Sequence, residues 1–473
     1  MNMAVNDKAI TLTQILNVQR SDFQAQPTPS LAQRVTQLKQ LKAALINYQV
    51  PLQQALCEDF GHRSLDDSLI ADILPCINNI NYTIKNLKKW SQPTRRHSGL
   101  LLMPAKLKVH YQPLGVIGII SPWNFPVMLS IGPLITAIAA GNRVMLKLSE
   151  FTPATNRQIT EMLSSIFDDN YVACIQGEVD IAAAFSALPF DHLLYTGSTT
   201  VGRQVMLAAA KNLTPVTLEL GGKSPVIIAE DMPMKMAVER LIYGKCLNAG
   251  QICVAPDYIL VPEYQQRAFI DAYKSQFKQM YGEIKHNKDY TSIINSRQFE
   301  RIQSLLIDAQ EKGAQIESAN DEAIDLQTRK IPTQLITQIT DEMNISQEEI
   351  FGPLLPIITY KTLDEALRYV NDRPRPLALY LMSLNKKTQQ EVLAQTHSGG
   401  VCINETVFHV AADDAPFGGI GPSGMGHYHG KEGFLTFSHA KTVLSRGKLN
   451  TGKFIHPPYG GKIGAFILKI FLR

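Results

Sequence analysis

Hydrophobic positions near the start of the chain recur every three or four residues, with polar and basic residues between them. This spacing is followed by Leu31, Val35, Leu38, Leu41 and Leu45. At 3.6 residues per turn, such positions fall on one face of a helix. The pattern predicts an amphipathic α-helix whose apolar face packs against a core.

Beyond this region the pattern changes to short apolar runs rich in β-branched residues, separated by segments long enough for helices. A first series comprises GVIGII (115–120), RVMLKL (143–148), HLLYTG (192–197) and VTLEL (216–220). A second series comprises DYILVP (257–262), LLPIITY (354–360), LALYLMS (377–383) and GVCIN (400–404). Alternation of this kind predicts βαβ units and mostly parallel sheets. Two α/β units in tandem are the simplest architecture.

Composition narrows the class of protein. The 473 residues are 45% hydrophobic and 19% charged, as in a globular protein, and the net charge of +4 argues neither for nor against polyanion binding. The six cysteines form no CxxC pair, which argues against a zinc or disulfide framework. The start of the chain lacks a signal-peptide pattern, and no apolar run approaches about 20 residues. We expect a cytoplasmic protein with no metal site and no nucleic-acid partner.

Polar residues follow two of the predicted strands, where ligands of parallel sheets bind. In TGSTTVGR, Gly197 and Ser198 could form a turn into a helix whose N-terminal amides attract phosphate, although an ordinary strand-to-helix turn has the same look. After RVMLKL, Glu150 could accept hydrogen bonds from a ribose. With Lys147 beside it, a solvated surface pair is the alternative.

Two loops and a strand supply candidate catalytic groups. In SPWNFP, Asn124 lies between Trp123 and Phe125, where its amide could donate to an oxyanion or bond only its own loop. Glu219 lies inside an apolar strand, and burial would raise its pKa, which suits a general base. In NAGQICVAPDY, Cys253 is either a reacting thiol or a small buried hydrophobe.

Taken together, the motifs resemble the aldehyde dehydrogenase superfamily. They are GVIGIISPWNFP, TGSTTVGR, LELGGKSP, NAGQICVAPDYILVP, EEIFGPLLP and PFGGIGPSGMG, in this order from residue 115 to 426. The segment CVAPDY and the stretch INETVFHVAADDAPFGGIGPSGMGHYHGKEGFLTFSH look most like the class 3 branch, and within it the bacterial coniferyl-aldehyde dehydrogenase group. The resemblance implies the aldehyde dehydrogenase fold, with two parallel-sheet α/β domains and a small bridging element.

The resemblance also implies catalytic roles. Cys253 corresponds to the nucleophile, and Asn124 with the Cys253 backbone N–H forms the oxyanion hole. Glu219 matches the general base that activates the hydrolytic water. In some class 3 relatives the second glutamate, here Glu349, has been considered for that role, and this alternative stays open.

The same resemblance assigns the cofactor contacts. They are Lys147 and Glu150 for the adenosine ribose, Gly197 and Ser198 for the turn beside the pyrophosphate, Glu349 for the nicotinamide ribose, and Trp123 and Phe351 at the nicotinamide end. NAD is the expected cofactor, and NADP can also be accepted. One departure is Leu148, where relatives often have proline, which leaves the path of that loop open.

The implied reaction is oxidation of an aldehyde to a carboxylic acid through a cysteine thiohemiacetal and a thioester. A bulky aromatic aldehyde, such as a cinnamaldehyde derivative, is the expected substrate, and a medium or long aliphatic aldehyde is the alternative. A CoA-acylating enzyme would not need the water-activating Glu219. A non-catalytic relative would be expected to lack the four residues Asn124, Glu219, Cys253 and Glu349, all of which are present.

Domain boundaries follow from the resemblance as well. Residues 1–95 and 115–219 are expected to form the cofactor domain and residues 220–405 the catalytic domain. Residues 96–114 are expected to pair with the region 406–473 as a bridging and oligomerisation element. Class 3 relatives are dimers, so a homodimer is expected.

The end of the chain has features that the family motifs do not explain. From Lys441 to Arg473 there are seven basic residues and no Asp or Glu. If GKIGAFILKIFLR is helical, Lys462, Lys469 and Arg473 fall within about 40° on one face. Such a basic amphipathic helix either packs on the partner subunit near the substrate entrance or lies on an anionic membrane surface.

Overall fold

The computed structural model describes residues 2–99 and 102–472, and within them the side chains of residues 11–99, 102–453 and 456–472. The helices are α1 (Asn2–Ala25), α2 (Leu31–Phe60), α3 (Leu65–Ser68), α4 (Leu74–Trp90), α5 (Met128–Ala140), α6 (Pro153–Ser164), α7 (Val179–Ser186), α8 (Thr199–Ala210), α9 (Met234–Cys246), α10 (Gln266–Tyr281), α11 (Ser296–Glu311), α12 (Asn344–Gln347), α13 (Leu363–Asn371), α14 (Lys386–Gln395), α15 (Gly430–Thr436) and α16 (Lys462–Phe471). The strands are β1 (Thr94–Arg96), β2 (Lys106–Pro113), β3 (Val116–Ile120), β4 (Arg143–Lys147), β5 (Val172–Ile175), β6 (His192–Thr196), β7 (Val216–Glu219), β8 (Pro225–Ile228), β9 (Tyr258–Pro262), β10 (Gln315–Ser318), β11 (Gln334–Thr337), β12 (Leu354–Tyr360), β13 (Ala378–Met382), β14 (Gly400–Ile403), β15 (Gly424–Met425) and β16 (Ser438–Ser445).

The first apolar series forms a six-stranded sheet in the order β15-β7-β6-β3-β4-β5. The five strands from β7 to β5 are parallel, and β15 runs antiparallel to β7. Helices cover both faces: Ile117 and Ile119 of β3 belong to the core that includes α5, whereas Val116 and Ile120 belong to the core that includes α7. Burial on both faces explains why these strands read as continuous apolar runs.

The second series belongs to a seven-stranded sheet in the order β10-β11-β12-β9-β8-β13-β14. All of its neighbouring strands are parallel except β10, which is antiparallel to β11. The four runs predicted from the sequence are β9, β12, β13 and β14, and each prediction is confirmed. The architecture is therefore the predicted α/β fold with two tandem parallel sheets.

A third, smaller sheet joins distant parts of the chain. β2 pairs along its whole length with β16, from Lys106 opposite Ser445 to Pro113 opposite Ser438, and β1 flanks β2 on the other side. Because the same C-terminal region also contributes β15 to the six-stranded sheet, it is tied to the body of the protein at two places.

The predicted amphipathic helix is α2. Ser30 caps its N-terminus in a capping box with Gln33, and Gly61 ends it in the left-handed conformation at φ 74°. Leu38, Leu41 and Leu45 are fully buried, as the three- and four-residue spacing predicts. This helix packs on α4, α5 and α6.

Residues of the C-terminal segment GKIGAFILKIFLR form the helix α16 (Lys462–Phe471), so the amphipathic arrangement considered for it applies. No residue of this helix is buried, and its apolar residues Ile463, Phe466 and Ile470 are all more than half exposed. Lys462 and Lys469 lie in the described part, whereas Arg473 lies outside the described residues. None of the described helices has the length and apolar content needed to cross a membrane.

Candidate active site

Two cavities meet at Cys253. One has a volume of about 820 Å³ and apolar walls that include Phe125, Tyr243, Phe417 and Tyr428. The other, here called the polar cavity, has a volume of about 880 Å³ and walls that carry the polar side chains of Ser198, Glu219 and Glu349 beside apolar groups. Residues shared by both linings are Asn124, Leu129 and Cys253. The thiol therefore has an apolar space on one side and a polar space on the other.

The polar cavity brings together most of the residues singled out in the sequence. They are Trp123, Asn124, Gly197, Ser198, Glu219, Cys253, Glu349 and Phe351. Lys147 and Glu150 do not line it; they lie at and just beyond the carboxyl end of β4, with Lys147 Nζ 3.7 Å from a Glu150 carboxylate oxygen. Lys147 is buried and also donates to the Leu148 carbonyl at 2.7 Å, whereas Glu150 is exposed.

An unusual loop carries Cys253. After α9, Asn248 and Ala249 adopt left-handed conformations at φ 50° and 52°, although neither is glycine. Asn248 Nδ2 donates to the Gln251 carbonyl at 3.2 Å, and Gln251 Nε2 donates back to the Asn248 carbonyl at 2.9 Å. The side-chain oxygen of Gln251 also accepts a hydrogen bond from the Ile294 N–H at 3.0 Å. These reciprocal bonds fix the backbone from which the Cys253 side chain projects.

Burial and neighbouring charge keep the Cys253 thiol protonated. The side chain is half-buried at the junction of the cavities. Burial, followed by the negative charges of Glu349 and Glu219, raises its pKa to about 12. Since the thiolate is the nucleophilic form of cysteine, a base must take the thiol proton before Cys253 can react.

Asn124 is held from two sides. Its Nδ2 donates to the Gln251 carbonyl at 3.2 Å, which leaves a second amide hydrogen for another acceptor. Its backbone carbonyl accepts from Arg63 Nη1 at 2.8 Å and from Asn248 Nδ2 at 3.1 Å. Arg63 is fully buried and is paired with the buried Asp72 at 3.2 Å. The asparagine is thus tied both to the Cys253 loop and to a buried ion pair.

Glu219 is a buried carboxyl group with no partner. It is 3% exposed at the end of β7, and among the described residues neither of its carboxylate oxygens has a hydrogen-bond partner. Burial raises its pKa well above the usual value for glutamate. A carboxylate of raised pKa takes a proton readily once ionised, as a general base requires.

The segment that carries Glu349 is tied down by three charged residues. Lys223 pairs with Asp257, and Asp257 accepts the Ile350 N–H at 2.9 Å. Arg301 donates to the carbonyls of Glu349 and Ile350 at 3.3 and 2.6 Å. Burial, followed by the charge of Asp257, raises the pKa of Glu349 to about 7.

The Glu349 carboxyl group lies directly against Gly221. A Cβ atom at Gly221 would come within 2.1 Å of a Glu349 oxygen, so this position requires glycine. Next to it, the rings of Trp123 and Phe351 meet edge to face with centroids 5.3 Å apart. A carboxyl group and two aromatic rings therefore form one wall of the polar cavity.

The N-terminus of α8 also lines the polar cavity. Ser198 caps this helix by accepting the Val201 N–H at 3.4 Å, and Gly197 precedes it at the end of β6. Backbone N–H groups and the helix dipole at such an end attract an anion.

The sequence analysis did not single out several residues that support the site. Lys223 and Asp257 lie inside the quoted motifs LELGGKSP and CVAPDY, yet their pairing is visible only in three dimensions. Arg63 and Asp72 belong to no motif and gave no signal. Within the described ranges, no group of three His, Cys, Asp or Glu residues could hold a metal ion.

Comparison with known proteins agrees with the motifs. The model of the aldehyde dehydrogenase family matches residues 8–443. A probable coniferyl aldehyde dehydrogenase of Pseudomonas aeruginosa is 54% identical over 455 residues, which cover 96% of this chain and 95% of the relative. A coniferyl aldehyde dehydrogenase of Pseudomonas sp. strain HR199 is 44% identical, covering 92% of this chain and 91% of its own. A dog aldehyde dehydrogenase described as dimeric and NADP-preferring is 37% identical, and the alignment covers 93% of this chain and 95% of the dog enzyme.

Solved structures agree as well. AldH of Staphylococcus aureus in its substrate-bound state is 39% identical, with a TM-score of 0.92 over 98% of this chain and 99% of that one. Betaine aldehyde dehydrogenase of the same organism, in complex with NAD⁺, is 25% identical, with a TM-score of 0.84 over 95% of this chain and 89% of that one. This chain therefore belongs to the aldehyde dehydrogenase family and is an NAD(P)-dependent aldehyde dehydrogenase, as its motifs predict.

Proposed function

We propose that this enzyme oxidises aldehydes to carboxylic acids through covalent catalysis by Cys253. The observation that carries the proposal is the place of Cys253 between an apolar cavity and a polar cavity that contains two carboxyl groups and a helix N-terminus. An aldehyde enters from the apolar side and meets the thiol. The cofactor binds on the polar side and faces the same sulfur.

In the first half-reaction, a carboxylate removes the thiol proton and the Cys253 thiolate adds to the aldehyde carbon. The new oxyanion accepts hydrogen bonds from Asn124 Nδ2 and from the Cys253 backbone N–H. One such donor is worth about 3 kcal/mol in the transition state. The Arg63 contact and the Gln251 bond support the asparagine in this position.

The residues of the polar cavity fit a nicotinamide dinucleotide. The N-terminus of α8, with Gly197 and Ser198, suits the pyrophosphate. The carboxyl group of Glu349 suits the nicotinamide ribose, with Trp123 and Phe351 beside the ring. When bound, the nicotinamide accepts the hydride that the tetrahedral adduct releases.

The adenosine ribose is assigned to the end of β4. Glu150 is exposed there and can accept hydrogen bonds from ribose hydroxyls, while the cation of Lys147 lies 3.7 Å from its carboxylate. A carboxylate repels a 2′-phosphate and a cation attracts it. We therefore propose NAD⁺ as the preferred cofactor, with NADP⁺ accepted to a lesser degree.

In the second half-reaction, water hydrolyses the thioester, and we assign the base to Glu219. Both of its carboxylate oxygens are free to approach a water, whereas the Glu349 carboxyl group lies against Gly221 and accepts the Gly222 N–H. Hydrolysis releases the carboxylic acid and returns Cys253 to its starting form.

The apolar cavity supports an aromatic substrate. Its aromatic side chains, including Phe125, Phe408, Phe417 and Tyr428, can pack on a planar ring. Similarity to coniferyl aldehyde dehydrogenases of Pseudomonas points the same way. Comparing kcat/KM for cinnamaldehyde derivatives and for aliphatic aldehydes of similar size tests this proposal. Higher values on every aliphatic aldehyde would favour the alternative.

A CoA-acylating reaction is the other alternative, and a direct test separates it. Purified enzyme is incubated with cinnamaldehyde and NAD⁺, with and without CoA, and the products are identified. We expect cinnamic acid in both cases. The assignment of Glu219 as the hydrolytic base would be contradicted if cinnamoyl-CoA formed when CoA is present and no cinnamic acid formed when CoA is absent.

The remaining proposals concern assembly. We assign residues 1–95 and 115–219 to a cofactor domain and residues 220–405 to a catalytic domain, bridged by residues 96–114 with 406–473. We propose a homodimer, since the similar dog enzyme is described as dimeric. Free cysteines support a reducing, cytoplasmic location.

We propose that the exposed apolar face of α16 packs against the partner subunit. An anionic membrane is the alternative, because the two lysines of the helix, Lys462 and Lys469, would favour it. Sedimentation with anionic and neutral vesicles, for the full chain and for a chain ending at Tyr459, distinguishes them. Salt-sensitive binding that disappears on truncation would favour the membrane.

A further inference from the structure

Glu219 must lose its proton after each hydrolysis, yet it is 3% exposed. The segment GMGHYHG supplies a candidate acceptor that no motif assignment has used. His427 is half-buried, and its Nδ1 atom is buried without a hydrogen-bond partner in the part of the chain that the structure describes. His427 thus has a buried, unpaired nitrogen in a residue that is partly exposed to solvent.

The unpaired atoms of His427 and Glu219 both lie beside Gly418. A Cβ atom built on Gly418 would lie 2.2 Å from the Gly426 carbonyl oxygen, 2.6 Å from His427 Nδ1 and 3.3 Å from a Glu219 carboxylate oxygen. Both polar atoms therefore approach the same glycine, which leaves no room for a side chain. A water can bridge two polar atoms that are too far apart for a direct hydrogen bond.

We propose that His427 carries the proton from Glu219 to the solvent during thioester hydrolysis. This rests on the proposed role of Glu219 as the base. His427 touches neither substrate nor cofactor, so it is a positioning residue for the proton and acts through Glu219.

The proton balance of the step is complete. Glu219 takes one proton from the attacking water, the oxygen of that water bonds to the acyl carbon, and the C–S bond breaks. The departing thiolate takes the proton of the new carboxyl group, so Cys253 returns as the thiol and the product leaves as a carboxylate. The proton on Glu219 then passes through an intervening water to neutral His427 at Nδ1. The imidazolium releases a proton to solvent from Nε2, and tautomer exchange restores the ring.

The neighbouring histidines are less suited to this role. Burial lowers the pKa of His409 to about 4. Burial, followed by the charges of His427 and His409, lowers the pKa of His429 to about 4 as well. His429 also lines the apolar cavity. Glu219 from β7 lies beside the same glycine as His427, and the charge of His427 acts on His429 of its own segment.

The test measures the decay of the acyl-enzyme directly. Holoenzyme is mixed with one equivalent of cinnamaldehyde and excess NAD⁺, and intact-mass measurements follow the thioester on the protein with time. In His427→Ala and in His427→Gln we expect decay to slow by roughly 10- to 100-fold, below the full effect of a general acid–base group. NAD(P)H formation in the same mixing experiment should keep its rate. Added imidazole should restore decay in His427→Ala in proportion to its concentration.

Controls separate this inference from a structural effect. His439→Ala removes an exposed histidine of β16 and should leave decay unchanged with or without imidazole. Unchanged decay in His427→Ala would overturn the proposal, as would recovery of the normal rate by His427→Gln, which has similar size but cannot carry the proton. Slow decay that imidazole does not restore would also overturn it.

A separate variant tests the underlying role of Glu219. In Glu219→Gln the acyl-enzyme should accumulate, and imidazole should not restore its decay. If this variant hydrolysed the thioester at the normal rate, the proposed base would be wrong. If it accumulates acyl-enzyme while both His427 variants behave as the parent enzyme, only the proton route is wrong.

Discussion

The buried ion pair behind Asn124 offers a sharp test of how the proposed oxyanion hole is built. Arg63 is fully buried between the rings of Phe60 and Phe125, at 4.9 and 4.8 Å, and it donates to the Asn124 carbonyl at 2.8 Å. Its partner Asp72 lies 3.2 Å away and accepts the backbone N–H of Met128 through its other oxygen. We consider the substitutions Arg63→Met and Arg63→Lys.

The two substitutions separate stability from catalysis. Arg63→Met leaves Asp72 as an uncompensated buried carboxyl group, and breaking a buried pair in this way costs about 3–5 kcal/mol. Arg63→Lys keeps the charge and should lose less stability. However, an ammonium lacks the planar fork that reaches both Asp72 and the Asn124 carbonyl.

The catalytic effect should be similar in both variants. Loss of a complete oxyanion donor costs on the order of 3 kcal/mol, and Arg63 acts one step away from that donor. We therefore expect kcat/KM to fall by roughly 10- to 100-fold, about 1.4–2.7 kcal/mol, in both. The loss should appear mainly in kcat, since NAD⁺ binding does not involve Arg63.

The assays are thermal unfolding and steady-state kinetics with cinnamaldehyde and NAD⁺. Arg157→Met is the matched control, because Arg157 forms an exposed ion pair with Glu58 at 3.4 Å. Such a pair contributes about 0–1 kcal/mol, so neither stability nor activity should change much. If both Arg63 variants kept kcat within about twofold of the parent value at a temperature where they are folded, Arg63 would have no role in positioning Asn124.

Three further predictions follow from the site. Cys253→Ala should abolish aldehyde oxidation, while NAD⁺ binding, measured by calorimetry, persists. The control Cys246→Ala should keep most activity. Equal losses of activity in the two variants would contradict a nucleophilic role for Cys253. Glu150→Gln should reduce the NAD⁺/NADP⁺ ratio of kcat/KM, and an unchanged ratio would exclude a ribose contact. Because burial raises the pKa of Glu219, its ionised fraction still grows with pH above the usual range of glutamate, so thioester decay should accelerate there with rising pH and lose that dependence in Glu219→Gln. A parent enzyme whose decay rate does not change with pH would argue against Glu219 as the base.

The strands were predictable because their residues are buried on both faces. Val116–Ile120 and Ala378–Met382 are apolar throughout, which distinguishes them from amphipathic helices such as α2. Short strands with mixed burial, such as Gln315–Ser318, left no comparable pattern. The pairing of β2 with β16 joins segments more than 300 residues apart, and only the family resemblance suggested it.

The candidate site residues were singled out by motif rather than by local physics. Individually, Cys253 and Asn124 each had an ordinary structural explanation, and the combination of motifs pointed to chemistry. What the motifs could not supply is the support beneath them. Arg63 reaches the Asn124 carbonyl across 61 positions of sequence, and nothing in the pattern around either residue indicates that contact.

The Cys253 loop shows why this support matters. Left-handed conformations cost roughly 1–2 kcal/mol for residues such as Ala249, and Asn248 tolerates them better through local hydrogen bonds. The Asn248–Gln251 bonds contribute about 0.5–1.5 kcal/mol each and offset much of this strain. Asn248 also donates to the Asn124 carbonyl, so one side chain fixes both the loop of the thiol and the backbone of the oxyanion donor. The relative position of the proposed nucleophile and oxyanion donor therefore depends on this amide as well as on Arg63, and the strained backbone is the cost of placing that amide between them.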